Sequence, residues 1–368
     1  MFQRAWSFAK RHKKKLIFAT VFGGGAYCAW KYWLPRLQQK LLERLLQDGG
    51  DFKELLELAR GVDGDQRDKK ARFTHTQSVS DSYVRKELAL LQERQGACFA
   101  VEECSDKVKR ATTREAKIQC LTELVVECIG RLVSAFYTLH ALLLLHRVEY
   151  NIVGREIAAV MPHGEVASEV TEREHAAFLD TTRYFKQEGV EQLADAIRRA
   201  VQKCFQSAEL APTTQMTSEG LDKLFANICA GVDAELFTAG SRCVAALLPE
   251  SLDQAIDEVH RVKVKNYLDE ARDYLESPQF AGVFRAVVSG ASRRLASAFG
   301  DDALDPEAAP LAGGRSCPLA KLNGPVIELS KSLLSEDDNG FITCFAEEPS
   351  VLQFCEALYF NENGGSRH

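Results

Sequence analysis

Between Leu132 and Leu145 the chain reads LVSAFYTLHALLLL, apolar nearly all round. A helix of fourteen residues is about 21 Å long, short of the roughly 30 Å hydrocarbon core of a bilayer. A helix without a polar face must instead be surrounded by protein. This stretch therefore predicts a buried central helix with other elements packed on every side. A second membrane pass is the alternative. Thr112, Thr113, Arg114 and Glu115 form a capping box that starts this helix, and the pattern carries it to about Arg155. Ile118, Leu121, Val125, Cys128, Leu132 and Phe136 trace one stripe at helical period, with Leu124 beside it.

The flanking sequence gives that helix partners of its own kind. Helices are expected at Arg36–Gln47, Asp51–Arg60 and Ser80–Arg94, with Gly61–Arg72 a charged mobile loop and Gln95–Lys109 weaker. Thr171 to Glu174 is a second capping box, opening a helix to about Gln187, and Gly189 marks a break before Val190–Ala208. Ser218–Leu236 and Ser251–Glu276 follow. Ser277-Pro278 ends one helix and starts the next, Gln279–Phe299, because proline suits a first helical turn and not an interior. Pro318–Ser335 and Pro349–Phe360 close the chain. Met161–Ser168 and Gly300–Cys317 read as loops, Asp337 to Gly340 as a turn and Asn361–His368 as a frayed tail. No stretch after residue 35 alternates with period two. The fold class is all-α, a bundle of seven to nine helices.

Ahead of the bundle lies a different composition. Met1–Lys15 carries Arg4, Lys10, Arg11, Lys13, Lys14 and Lys15 and no acid. Leu16–Trp30 has no charge, and Tyr32, Trp33 and Leu34 close the run after Lys31. Taken to Leu34 the segment is about 28 Å long as a helix, with interfacial aromatics at its end. The expectation is three parts: a basic targeting segment 1–15, a transmembrane anchor 16–34 and a helical body 35–368. A cleavable signal peptide and a basic surface helix remain as other readings of the same residues.

The net charge of −6 conceals an asymmetry: residues 35–368 hold 39 basic and 52 acidic residues. An acidic body is unsuited to nucleic acid, which needs local positive charge. The basic end suits anionic lipid. Eleven cysteines, an odd number, with no Cys-x-x-Cys and no Asn-x-Ser/Thr acceptor, favour a reducing compartment. No phosphate loop, dinucleotide fingerprint or nucleophile–base–orienter set is present, so neither an enzyme nor a cofactor, metal or small-molecule substrate is expected. His140 and His146, six residues apart, do not share a helix face as metal ligands.

Four stretches, in order, resemble the peroxisomal biogenesis factor 3 (peroxin-3) family. They are Arg11 to Lys15 before the anchor, Arg147 to Gly154 (RVEYNIVG), Arg272 to Phe280 (RDYLESPQF) and Pro318 to Lys321 (PLAK). The resemblance implies a single-pass peroxisomal membrane protein with its N-terminus inward and its helical body in the cytosol. It implies that the body docks peroxin-19, a carrier of membrane proteins, by taking the carrier's N-terminal helix into an apolar groove at the membrane-distal end. By that alignment the groove residues are Leu121, Leu124 and Lys321. The family's groove tryptophan is replaced here by Leu121, which offers less apolar area and no aromatic stacking. Arg11, Lys13, Lys14 and Lys15 would serve targeting. A membrane-anchored tether or scaffold is the alternative function. Both groove leucines also fit a plain core position.

Overall fold

A computed structural model describes residues 66–160, 169–238, 242–251, 258–298, 316–336 and 339–360. The expected anchor, the basic stretch before it, the helices expected at 36–47 and 51–60, the 161–168 loop and the tail lie outside the described residues. All described residues belong to one unit, Leu55–His368.

The all-α class holds, with two three-residue strands added. In chain order the helices are α1 (Gln66–Ala97), α2 (Val101–Arg110), α3 (Arg114–Val160) and α4 (Glu169–Leu179). A turn at Thr182–Tyr184 and a π-helical turn at Phe185–Gly189 lead into α5 (Val190–Ser207). Strand β1 (Gln215–Thr217), α6 (Ser218–Asp233), α7 (Arg242–Leu247), α8 (Glu258–Glu276) and α9 (Pro278–Ala298) follow. Strand β2 (Ser316–Pro318), a 3-10 turn (Leu319–Leu322), α10 (Asn323–Leu333), α11 (Gly340–Ala346) and α12 (Pro349–Tyr359) complete it.

Helix α3 is the axis, and α1, α2, α5, α8, α9, α10 and α12 all pack on it. Residues 132–154, twenty-three in succession, are buried. This is the one described helix long and apolar enough to cross a membrane, yet 94% of its apolar window is inside the bundle. The burial extends past the apolar run into RVEYNIVG, where charged groups have to be answered by neighbours. The Arg147 guanidinium donates to Gln77 Oε1 at 2.5 Å and to Asp81 Oδ2 at 2.7 Å. Gln77 in turn donates to Asn151 Oδ1 at 2.8 Å, and Asn151 to the Arg147 carbonyl at 2.6 Å. At Gly154 an added Cβ would lie 3.0 Å from Thr76 Oγ1 and 3.1 Å from the Tyr359 ring, so the missing side chain lets α1 and α12 close on α3. Farther along, Arg155 pairs with Glu270 and donates to the Leu358 carbonyl at 3.1 Å, tying α8 and α12 to the axis.

The first and last described helices meet at this end. The Phe73 ring packs edge-on against Tyr359 at 5.4 Å and in a tilted arrangement against Phe360 at 5.5 Å. From there α1 runs antiparallel to α3, with Gln95 donating to the Arg131 carbonyl at its far end.

Several expectations are corrected. Gln66–Arg72 is helix, not loop: α1 is continuous to Ala97 because Arg72, Phe73, Thr76 and Gln77 are buried against α3 and its neighbours. Thr171 falls inside α4, which starts by Glu169, so it does not open the helix. Gly189 does not break its helix. Its backbone passes so close to α7 that a Cβ would sit 1.9 Å from the Ala246 carbonyl, and the π-helical turn accommodates that approach. Pro318 belongs to a strand, with Gln215 opposite it, rather than starting a helix. His260 is half-buried against Glu174 at 3.4 Å instead of solvated. Helix α11 was not foreseen, although the Asn339 of the expected turn is its cap, accepting from the Phe341 N–H at 3.1 Å. The helices also outnumber the seven to nine expected. The Ser277-Pro278 junction is as expected: Ser277 Oγ accepts from the Phe280 N–H at 3.1 Å.

His140 is fully enclosed between Phe136 and Phe345, its Nδ1–H donating to the Phe136 carbonyl at 2.7 Å. Burial lowers its pKa from 6.5 to about 4. The unfolded chain therefore binds a proton in that interval that the folded chain refuses, and stability falls as pH drops from 6.5 toward 4. The expected slope from this group is about 1.4 kcal/mol per pH unit. Urea titrations across the window should show it, and His140→Asn, which keeps a donor for the Phe136 carbonyl, should flatten it.

Candidate partner-docking site

The first three turns of α3 stand clear of the core. Every residue from Arg114 to Glu123 is exposed or half-buried, and the first buried one is Leu124. The helix is capped by Thr113, whose Oγ1 accepts from the Ala116 N–H at 3.2 Å and whose carbonyl accepts from Lys117 at 3.0 Å. The cap is thus one residue later than the box expected at Thr112, and Glu115 sits too early in the helix to close it.

Helix α2 lies antiparallel along this part of α3. Glu102 pairs with Arg131 at 3.2 Å, and the Ala100 N–H donates to Glu127 at 3.0 Å. Its inner face is Val101 and Cys104, with Val108 half-buried toward the end. The turn Ala111–Thr113 then returns the chain directly into α3.

Leu121 and Leu124, three residues apart, have different surroundings. Leu124 is 9% exposed and belongs to the core, whereas Leu121 is half-buried. One turn earlier Ile118 is 40% exposed. The three make a ridge that emerges from the core toward the start of the helix. The periodicity had assigned Ile118 to the core stripe. The signal against that lay in its neighbours, since Arg114, Glu115, Lys117, Gln119, Thr122 and Glu123 leave nothing apolar to cover it.

Lys321 is brought to the same end by a different route. The π-helical turn and α5 after it descend antiparallel to α3, from Lys186, which pairs with Glu87 beside His146, to Arg198, which reaches Glu127 at 3.6 Å and the Phe99 ring at 5.0 Å. Nine residues beyond Arg198 α5 ends at Ser207, so the 208–217 segment turns near the start of α3. Strand β1 pairs there with β2, and the Leu319 and Ala320 N–H groups donate to the Thr214 and Pro212 carbonyls, both at 3.0 Å. Leu319 and Leu322 are buried and hold the 3-10 turn in place, while Lys321 between them is exposed.

The chemistry at this end suits binding. Burial raises the Cys104 thiol, and carries that of Cys128 to about 12, so neither is a thiolate at neutral pH. Titratable clusters exist elsewhere, but they sit inside helix contacts. Burial alone would raise Glu156, yet hydrogen bonds from His175, Lys263 and Tyr267 bring it down to about 2, joining α3, α4 and α8. Burial carries Glu149 up to about 8 against the hydrogen bonds of Thr182 and Thr181, in a position with no exposed surface. Among the described residues no three or more His, Cys, Asp or Glu side chains are grouped to hold a metal. An emerging apolar ridge with a lysine at the same end is what an amphipathic helix could cover, each large side chain adding about 1.5–3 kcal/mol if fully buried.

The ridge and the core should separate by mutation. Leu124→Ala is expected to cost about 2 kcal/mol or more in urea unfolding, as a buried leucine does. Ile118→Ser should stay within about 0.5 kcal/mol, as exposed positions do.

Comparison with known proteins bears on the whole chain. A family model described as Peroxin-3 matches residues 161–360, a span that includes Lys321 but neither Leu121 nor Leu124. The human and mouse proteins named Peroxisomal biogenesis factor 3 are each 24% identical to this chain, over 98% of it and 97% of their own length. The Bos taurus protein of that name is 26% identical over 80% of this chain and 78% of its own.

Proposed function

This chain belongs to the Peroxin-3 family, and on that premise we propose that its body is a docking receptor for the peroxin-19 carrier. A role in peroxisome biogenesis goes with the membership. In the proposal, residues 16–34 anchor the protein in the peroxisomal membrane with the N-terminus inward. Arg11, Lys13, Lys14 and Lys15 contribute to targeting, and residues 35–368 stand in the cytosol. The carrier's N-terminal helix lies on the ridge of Ile118 and Leu121, with Leu124 forming its floor. Lys321 caps that helix's last carbonyls or pairs with an acid on it. The protein works by binding, without turnover.

The observation that carries this reading is the ridge itself. A helix otherwise sealed along its middle leaves Ile118 exposed and Leu121 half-buried near its start. Where the family has tryptophan, Leu121 makes the contact smaller. Affinity then depends more on the residues around it.

Leu121→Asp places a carboxylate in the apolar contact. It should weaken binding of a peroxin-19 N-terminal peptide at least about tenfold, or roughly 1.4 kcal/mol, with helical circular dichroism unchanged. Calorimetric titration of the full chain in neutral detergent checks this, and an unaltered affinity would rule the ridge out.

A further inference from the structure

Glu149, in the sealed middle of α3, has no exposed surface and forms no ion pair with a lysine or arginine among the described residues. Its contacts are with the segment that precedes α5. Thr181 Oγ1 lies 2.7 Å from the Phe178 carbonyl and 3.3 Å from Glu149 Oε1. A hydroxyl has one hydrogen, and a carbonyl can only accept, so that hydrogen goes to Phe178. Thr181 then faces Glu149 Oε1 as an acceptor, and the contact closes only if the carboxyl itself carries a hydrogen. Thr182 donates to the other oxygen, Oε2, at 2.5 Å. The charged and titratable groups around this site are Glu87 and Tyr83 on α1, His146 and Tyr150 on α3, and Lys186 on the π-helical turn. Glu87 is the ionised acid among them. Lys186 pairs with its Oε1, and His146 Nε2–H donates to its Oε2 at 3.4 Å. Burial alone would raise Glu87, yet His146 and Lys186 bring it below its ordinary value. One anion and one cation therefore balance, and a second ionised carboxyl would leave an unanswered charge out of reach of water. His146 Nδ1, 3.8 Å from Glu149 Oε2, has no hydrogen-bond partner.

We propose that Glu149 is a proton-binding site that latches the 181–189 segment onto α3, so that loss of its proton releases the segment. The seated segment is otherwise tied by Lys186 to Glu87 and by Gly189 against the Ala246 carbonyl. Release admits water to Glu149, and the carboxyl then titrates near its ordinary value of 4.5, whereas burial carries it to about 8 in the seated state. Between those values the seated state holds a proton that the released state lacks. Release is therefore favoured about tenfold more for each pH unit gained across the interval, and the effect levels off above it. The sign is opposite to that of His140. The latch does not depend on what the start of α3 binds.

The test follows backbone hydrogen exchange of residues 183–190 in the full chain in neutral detergent, at pH 6.5 and pH 8, corrected for the intrinsic exchange rate. This window lies above the range in which His140 acts. Glu149→Gln is the comparison: its amide keeps an N–H for Thr181 and an oxygen for Thr182 and does not titrate. The opening constant of wild type should rise about tenfold or more across the window, and that of the variant should stay flat. Infrared spectra at pH 7, where Asp81 at about 6 is largely ionised, should show the carbonyl stretch of a protonated carboxyl in wild type and lose it in Glu149→Gln. Thr181→Ala, which removes the acceptor, should shift that band, so the assignment does not rest on a single variant. Absence of the band from wild type overturns the proposal, placing the proton on His146 or nowhere in the cluster. An equal rise in exchange in wild type and Glu149→Gln, or no rise in wild type, overturns it as well.

Discussion

The guanidinium of Arg147 sits in the middle of twenty-three consecutive buried residues, beyond the reach of water. An unpaired charge there would cost several kcal/mol, so the helix can be central only if a neighbour supplies the partners. Helix α1 does so with Gln77 and Asp81, which fixes its register on α3. Gln77 then reaches Asn151, and the next turn of α3 presents Gly154, where α1 and α12 close in. The polar pairs set which residues face each other, and the apolar contacts supply most of the binding energy between the helices. Farther out, Arg155 with Glu270 and Glu156 with His175 and Lys263 bring in α8 and α4 by the same means.

Much of this was legible in the residues. The Leu132–Leu145 run announced a sealed helix by lacking any polar face, and Pro278 and Pro349 announced helix starts by their chemistry. Other features depended on partners far away in the chain. Gln66–Arg72 looks like a charged loop until Tyr359 is beside Arg72. Gly189 reads as a break, and only the Ala246 carbonyl explains why no side chain fits there. The three-residue strands carry too little pattern to register, since each is defined by the other. Thr112 and Thr113 are both competent caps, and a single hydrogen bond separates them.

The start of α3 shows the same division. Period alone treats Ile118, Leu121 and Leu124 alike, because it reports a common side of a helix and not how far the neighbours extend. The family stretches RVEYNIVG and RDYLESPQF lie in the packing of α3, α8, α9 and α12, where Arg147, Asn151, Ser277 and Phe280 are committed to the fold. They belong to the architecture of the bundle. Leu121 and Leu124 lie outside the span of the family model, residues 161–360.

The ring cluster of Phe73, Tyr359 and Phe360 joins the opening helix to the closing one. A ribosome releases these aromatics nearly three hundred residues apart. Until the last of them is made, α1 and α3 lack the α12 face that closes on Gly154. Closure of this bundle therefore rests on contacts between the most distant of its described helices, a topology that slows folding.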